Sequence, residues 1–293
     1  MFTVYLDKNV LDHLLIVRRT GVETKWVTPA DIEKLQKAVA EGRVRNLMSV
    51  MQIQEAAYAL NAPSESVAKE ELEWIRELLY QGEIIKFPKD LLSDDISNYA
   101  RGDGPSEPLM RNTIDLDGLF SPTGDIKERK QALADTSEQG AKFLETAKIA
   151  NDHDRAIILA DFNNQQPKFE VFYEARIVPK LRGLVQSAER SSGQTGLLAA
   201  CEKRGIEGML EFRSLAVAAG VSLSYSYARV FGELSEKEKR RKGDPPDVSH
   251  ALLSSSAQIL VTHDRDFAFW FERVPHRGVE VLDHLHTLLG RLP

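Results

Sequence analysis

Four carboxylates in this chain sit where a parallel α/β sheet would gather them. The segment FTVYLDKNVLDHL is a strand-like apolar run that stops at Asp7. Far downstream, DPPDVSHALLSSSAQILVTHDRDF carries Asp247 at a helix start and Asp264 just past a second apolar strand, ILV. Between them, Glu55 lies in the first turn of the helix that opens MQIQEAAYAL. In an open α/β sheet, ligands bind beyond the carboxyl ends of the strands. Two carboxylates ~5 Å apart repel by roughly 3 kcal/mol at an effective dielectric of ~20. A cluster of them is tolerated when a cation sits among them. Oxygen donors without thiolates favour Mg²⁺ or Mn²⁺. Metals held this way activate water and neutralise charge on a phosphodiester during in-line displacement.

Each acid also has a plainer reading. Asp7 and Asp247 suit helix N-caps, and Glu55 suits the first turn of a helix through the macrodipole. Asn9 could cap the helix or orient Asp7. The neighbours of Glu55 (Ile53, Ala56, Ala57, Leu60) leave it near the buried side, where an unpartnered carboxylate is costly. Asp266 reads as the start of the next helix. The run Lys237, Lys239, Arg240, Arg241, Lys242 is either a solvated face or a phosphate-steering strip upstream of Asp247. His250 and His263 could serve as ligands or bases, but read more readily as surface residues of a helix and a loop.

The elements that must position these residues follow from local signals. Residues 2–6 are apolar and β-branched, as in a buried strand. Thr28-Pro29-Ala30-Asp31 is a helix start with a capping hydroxyl, proline at the first position and an acid in the first turn. That helix runs to about Glu41, and Gly42 stops it. Strands are expected at 44–50, at EIIKF (83–87), at 258–262 and at 278–282. A helix with Leu72, Ile75, Leu78 and Leu79 on one stripe precedes the third strand. This is the alternation of a parallel sheet. Residues 101–124 read as a long loop. Helices are expected at 126–150, 170–190, 195–203 and 206–219, and 221–228 (VSLSYSYA) as a strand or extended connector. The expected organisation is one α/β domain, residues 1–90 and 236–293, interrupted by a mainly helical insertion over 91–235.

The 293 residues are 42% hydrophobic, enough for a real core. A net charge of −6 argues against broad nonspecific nucleic-acid binding but leaves room for a local basic groove. The single cysteine, Cys201, can form neither an internal disulfide nor a thiolate metal site alone, and reads as a buried helical position. No signal peptide and no membrane-spanning run is legible. The expected location is the cytoplasm, with no membrane partner.

Taken together, the segments resemble the PIN-domain nucleases. LDKNVLDHL resembles the family's first strand ending in Asp, with Asp7 and Asn9. LMSVMQIQEAAYAL resembles its Ser-containing strand and Glu-bearing helix, with Glu55. DPPDVSHALL carries Asp247 in a helix with a downstream alanine. ILVTHDRDF carries the closing Thr262, Asp264, Asp266 and Phe267, and VEVLDHLHTLL resembles the last strand and helix. The resemblance covers roughly residues 1–90 and 240–293. About 150 residues separate the early block from Asp247, far more than in compact members. The resemblance implies a parallel sheet of about five strands between helices, Mg²⁺ or Mn²⁺ as cofactor, and RNA as substrate. Asp7, Glu55, Asp247 and Asp264 would be the metal-holding catalytic set, with Asn9, Thr262 and Asp266 orienting them. Many members are toxins of toxin–antitoxin pairs, so an antitoxin or other protein partner, or a homo-oligomer, belongs among the expectations. Two other readings stand beside this one. A haloacid-dehalogenase-like phosphatase also has an early strand-end Asp, but needs a second Asp where Asn9 stands. A non-catalytic RNA- or protein-binding module would use the same α/β unit as a scaffold.

Overall fold

The computed structural model describes residues 1–49, 52, 70, 73–79, 84–86, 88–110, 155–232, 244–275 and 277–292. The expected helix at 126–150, Glu55 and the 237–242 basic run lie outside the described residues. In chain order the elements are β1 (Phe2–Leu6), α1 (Lys8–Thr20), α2 (Pro29–Ala40), β2 (Val44–Ser49), β3 (Ile84–Ile85), α3 (Pro88–Arg101) and β4 (Leu109–Met110). There follow α4 (Phe169–Ser192), α5 (Leu197–Arg204), a 3₁₀ turn (Ile206–Glu211), α6 (Arg213–Phe231) and α7 (Asp244–Ser254). The chain closes with β5 (Ile259–Val261), α8 (Arg265–Glu272), β6 (Glu280–Leu282) and α9 (Leu285–Gly290).

The sheet runs in the order β4-β3-β2-β1-β5-β6. Five of its strands are parallel, and β4 pairs antiparallel with β3 through Ile84↔Met110 and Ile85↔Leu109. The five parallel strands lie where the apolar runs put them. The two-residue edge strand β4 falls inside the segment read as a loop, because two residues carry no periodicity and only pairing defines them.

Strand β1 is central and buried on both faces, as parallel strands are. Val4 and Leu6 point into one apolar layer with α1, α2 and α9. Tyr5 points into the other, with residues of α6, α7 and α8. Registers Val4↔Ile259, Tyr5↔Leu260 and Leu6↔Val261 lock β1 to β5, while Phe2↔Val44 through Tyr5↔Leu47 lock it to β2. The chain leaves β1 toward β2 on one side and comes back to β5 on the other. The strand order therefore reverses between β1 and β5, which opens a crevice at their carboxyl ends.

Local chemistry sets the flanking helices. Thr28 and Asp31 form a reciprocal capping box at α2, with Asp31 N donating to Thr28 Oγ1 (3.3 Å) and Thr28 N to Asp31 Oδ2 (2.9 Å). α1 ends at Gly21, whose φ of +67° is left-handed and costs glycine little.

Helix α6 corrects the extended reading of 221–228. The period-2 pattern of VSLSYSYA mimics a strand, yet the segment is helical. Its serine hydroxyls donate back along the helix, Ser224 Oγ to Gly220 O (3.1 Å) and Ser226 Oγ to Ser222 O (2.8 Å). That satisfies the Ser224 and Ser226 hydroxyls within a helix buried nearly all round. One side of α6 (Val217, Val221, Tyr225) faces the sheet layer. The other (Leu215, Ala219, Leu223, Tyr227) joins α3, α4 and α5 in a separate helical cluster, where Cys201 is fully buried. Gly220 lets α6 approach Val274 so closely that an added Cβ would clash with the branched valine. Gly220→Ala is expected to destabilise the fold by about 1–3 kcal/mol in urea unfolding, since a β-branched neighbour has no free rotamer to yield. No helix among the described residues is long and apolar enough to cross a membrane.

Candidate active site

The ends of β1 and β5 deliver their next residues into the crevice side by side. Asp7 follows β1, and its N–H continues the ladder by donating to Val261 O (2.9 Å). Thr262 follows β5, and its N–H donates to Leu282 O (3.0 Å). The Thr262 hydroxyl donates to Asp7 Oδ2 at 2.7 Å. Thr262 Oγ1 in turn accepts from Asp264 N at 3.1 Å. One hydroxyl thus ties together two acidic residues 257 positions apart in the chain (264 − 7).

Both acids also serve as helix N-caps. Asp7 Oδ1 accepts from Lys8 N (2.7 Å) at the start of α1. Asp264 Oδ1 accepts from Asp266 N (2.9 Å) and Phe267 N (3.0 Å) at the start of α8. The capping reading and the clustering reading are therefore compatible. In Asp264 the caps use Oδ1, and Oδ2 has no hydrogen-bond donor among the described residues. Asp266 lies in the first turn of α8 and lends its N–H to the cap.

Asn9 does something other than orient Asp7. Its Oδ1 accepts the His263 N–H at 3.1 Å, pinning the turn between Thr262 and Asp264 to α1. Sequence reasoning also missed Gln52. Its side-chain amide donates to Leu6 O, and its Oε1 accepts from Ser49 N (2.9 Å), so it clasps the ends of β1 and β2. A buried glutamine just past a strand, in MQIQEAAYAL, is the available signal for such a clasp.

The two histidines read as surface residues are buried, His250 at 5% exposure and His263 at 9%. His250 lies on α7, with Nδ1 hydrogen-bonded to the Tyr5 hydroxyl at 2.8 Å. His263 is enclosed by rings: Trp26 stacks on it (4.8 Å, 14°), His13 lies 5.3 Å away and His284 6.4 Å. Sequence spacing could not reveal this, because the covering rings come from three distant segments. Burial, reinforced by His13 and His284 and opposed by Asp283, lowers the His263 pKa to about 4.

Burial also raises the Asp7 carboxyl above the usual aspartate range. His250, Thr262 and the Lys8 N–H pull it back down, and Asp264 pushes it up. A carboxylate this enclosed, next to a second one, is poorly solvated as an anion. The Lys8 ammonium does not relieve it, being paired with Asp12 at 2.7 Å. An enclosed carboxylate with a second acid beside it offers oxygen donors that suit a hard divalent cation. Among the described residues, no group of three His, Cys, Asp or Glu is arranged to hold a metal. The other two acids of the expected set lie beyond that description. Glu55 falls outside the described residues, and Asp247 is placed only as backbone in the first turn of α7.

Beside Asp264, an open cleft of about 400 Å³ is lined by Asn9, His13, Trp26, His263, Asp264, Arg265 and Asp266. No protein-family model matches the chain, and no curated protein or solved structure matches it.

Proposed function

We propose that this chain is a PIN-like, metal-dependent ribonuclease. The observation that carries the reading is the Asp7–Thr262–Asp264 hydrogen-bonded link at the switch point of a five-strand parallel sheet. The buried Asp7 carboxylate, linked through Thr262 to Asp264, fits Mg²⁺ or Mn²⁺, which when bound would supply an activated water and charge neutralisation for phosphodiester hydrolysis. On this reading Asp7 and Asp264 bind the cation, and Glu55 and Asp247 complete the set. Thr262 fixes the rotamer of Asp7, the first turn of α8 fixes Asp264, and Asn9 holds the turn between them. Lys237, Lys239, Arg240, Arg241 and Lys242 would draw the phosphate backbone toward the acids, so binding should weaken as salt rises. A homo-oligomer or an antitoxin-like protein partner remains part of the proposal through the resemblance alone.

The test is cleavage of generic single-stranded and structured RNAs by the full chain with Mn²⁺ and with excess chelator. Cleavage that needs the metal supports the reading. Absence of cleavage across many RNAs, together with absence of Mn²⁺ binding, favours a non-catalytic module instead.

Thr262→Val keeps the side-chain shape and removes the shared hydroxyl. It leaves the Asp7 oxygen and the Asp264 N–H without that partner. Metal affinity or cleavage is expected to fall about 10- to 100-fold, as when ligand-orienting partners are lost. Mn²⁺ titration and initial rates read this directly, and unchanged values would remove Thr262 from its assigned role.

A further inference from the structure

We propose that the cleft beside Asp264 is a subsite for one unpaired nucleobase, stacked on Trp26, of the same RNA strand whose phosphate reaches Asp7 and Asp264. The assignment of the strand rests on the ribonuclease reading; the stacking site itself does not.

Trp26 lies in the loop between α1 and α2 and is half-buried. Its ring is held in place from within, stacked on His263 and 4.8 Å from His284. A fixed indole is a good stacking platform, since little freedom is lost when a base lands on it. The Lys25 ammonium sits over that ring at 4.7 Å from its centroid. Lys25 is exposed, and an exposed cation–π contact is weak. An incoming base displaces it and leaves the ammonium free to meet a phosphate. Arg265 is exposed at the rim of the cleft, with no ion pair among the described residues. It supplies a second cation beside the carboxylates.

The cleft also offers directional groups. Asn9 gives its carbonyl oxygen to the His263 N–H. Its amide NH₂ therefore has no acceptor among the described residues and can donate to a base carbonyl or ring nitrogen. His263 lines the cleft, is more than nine-tenths buried, and has both ring nitrogens unpartnered among the described residues. His13 Nδ1 is in the same condition. Unpaired buried nitrogens in a ring cluster are costly for a purely structural core. The chain carries a net charge of −6. General attraction for a polyanion is therefore weak, and stacking beside the acids offers a grip that charge does not.

The experiment is binding of a single-stranded RNA octanucleotide to the full chain in chelator, so that nothing is cleaved, by titration calorimetry and quenching of tryptophan fluorescence. Wild type is compared with Trp26→Ala and Trp26→Phe, each with an intact strand and with strands carrying one abasic position. Trp26→Ala is expected to weaken binding about 5- to 150-fold, and Trp26→Phe to retain most of it. One abasic position should produce the same loss in wild type and little further loss in Trp26→Ala. The abasic series reads on wild-type protein, so it holds even if a variant fails to fold. Equal affinity of wild type and Trp26→Ala, or no abasic effect at any position, overturns the subsite. Adenosine monophosphate binding as tightly as the octanucleotide overturns the assignment to a strand. Cleavage with Mn²⁺ is scored separately. Trp26-dependent binding without cleavage sinks the nuclease and keeps the subsite; cleavage with Trp26-independent binding does the reverse.

Discussion

Asp7→Asn is expected to abolish metal-dependent cleavage while raising the stability of the metal-free protein at neutral pH. The two effects have one cause. The Asp7 carboxylate is enclosed and its pKa is raised, chiefly by desolvation. A raised carboxyl contributes stability that is fully present below the unfolded value of 3.8 and is lost as pH rises through the folded value. At neutral pH the ionised form therefore costs stability, and asparagine removes the charge with nearly the same shape. The amide oxygen still accepts the Lys8 N–H, and the Thr262 hydroxyl oxygen accepts from the amide NH₂ in place of donating to a carboxylate. The variant should melt above wild type in chelator. Added Mn²⁺ should reverse the order, because wild type gains about 2.7 kcal/mol at a metal concentration 100 times the dissociation constant and the variant gains far less. Cleavage should fall by more than the roughly 100-fold typical of residues that only orient ligands. Thermal melts with and without metal, beside cleavage rates, check all three statements. Retained cleavage in Asp7→Asn counts directly against the mechanism.

Acid should weaken the fold through His263. Its pKa is lowered to about 4, first by burial and then by His13 and His284. Above the ordinary value of 6.5 both folded and unfolded chains hold it neutral. Below it the unfolded chain takes up a proton that the fold resists, so stability is lost as pH falls from 6.5 toward 4. The shift sets an upper limit of about 3 kcal/mol on that loss. His263→Phe keeps a ring under Trp26, and its backbone N–H can still donate to Asn9. Urea unfolding at pH 7.5 and 4.5 should show a smaller difference between the two pH values in the variant than in wild type. Asp7 works in the opposite direction over its own range, so the comparison with the variant isolates His263. An unchanged pH dependence would mean the imidazole is protonated in the fold or reaches solvent.

Much of the fold was legible because parallel strands buried on both faces write themselves as short apolar runs. β1 and β5 are such runs, β2 is one only in part because Arg45 and Asn46 interrupt it, and the Thr-Pro-Ala-Asp start of α2 carries its own cap. Two features were hidden. β4 is defined by pairing alone, and α6 conceals its helix behind alternating serines that bond to their own backbone. In the crevice, the residue types and strand ends were readable, and the topology brings Asp7, Thr262 and Asp264 into one hydrogen-bonded group. What each polar side chain touches was not readable. Asn9 serves the His263 backbone, Gln52 clasps two strand ends, and the burial of His250 and His263 comes from segments remote in sequence. Local pattern reports which face a residue occupies; it carries no record of what a distant loop lays over it.

The most direct measurement is anomalous diffraction from a crystal of the full chain soaked in Mn²⁺. The expected result is a manganese peak bonded to carboxylate oxygens of Asp7 and Asp264, with density linking it to Glu55 or Asp247. An ordered Asp7 and Asp264 with no peak between them, or manganese bound only elsewhere, would contradict it.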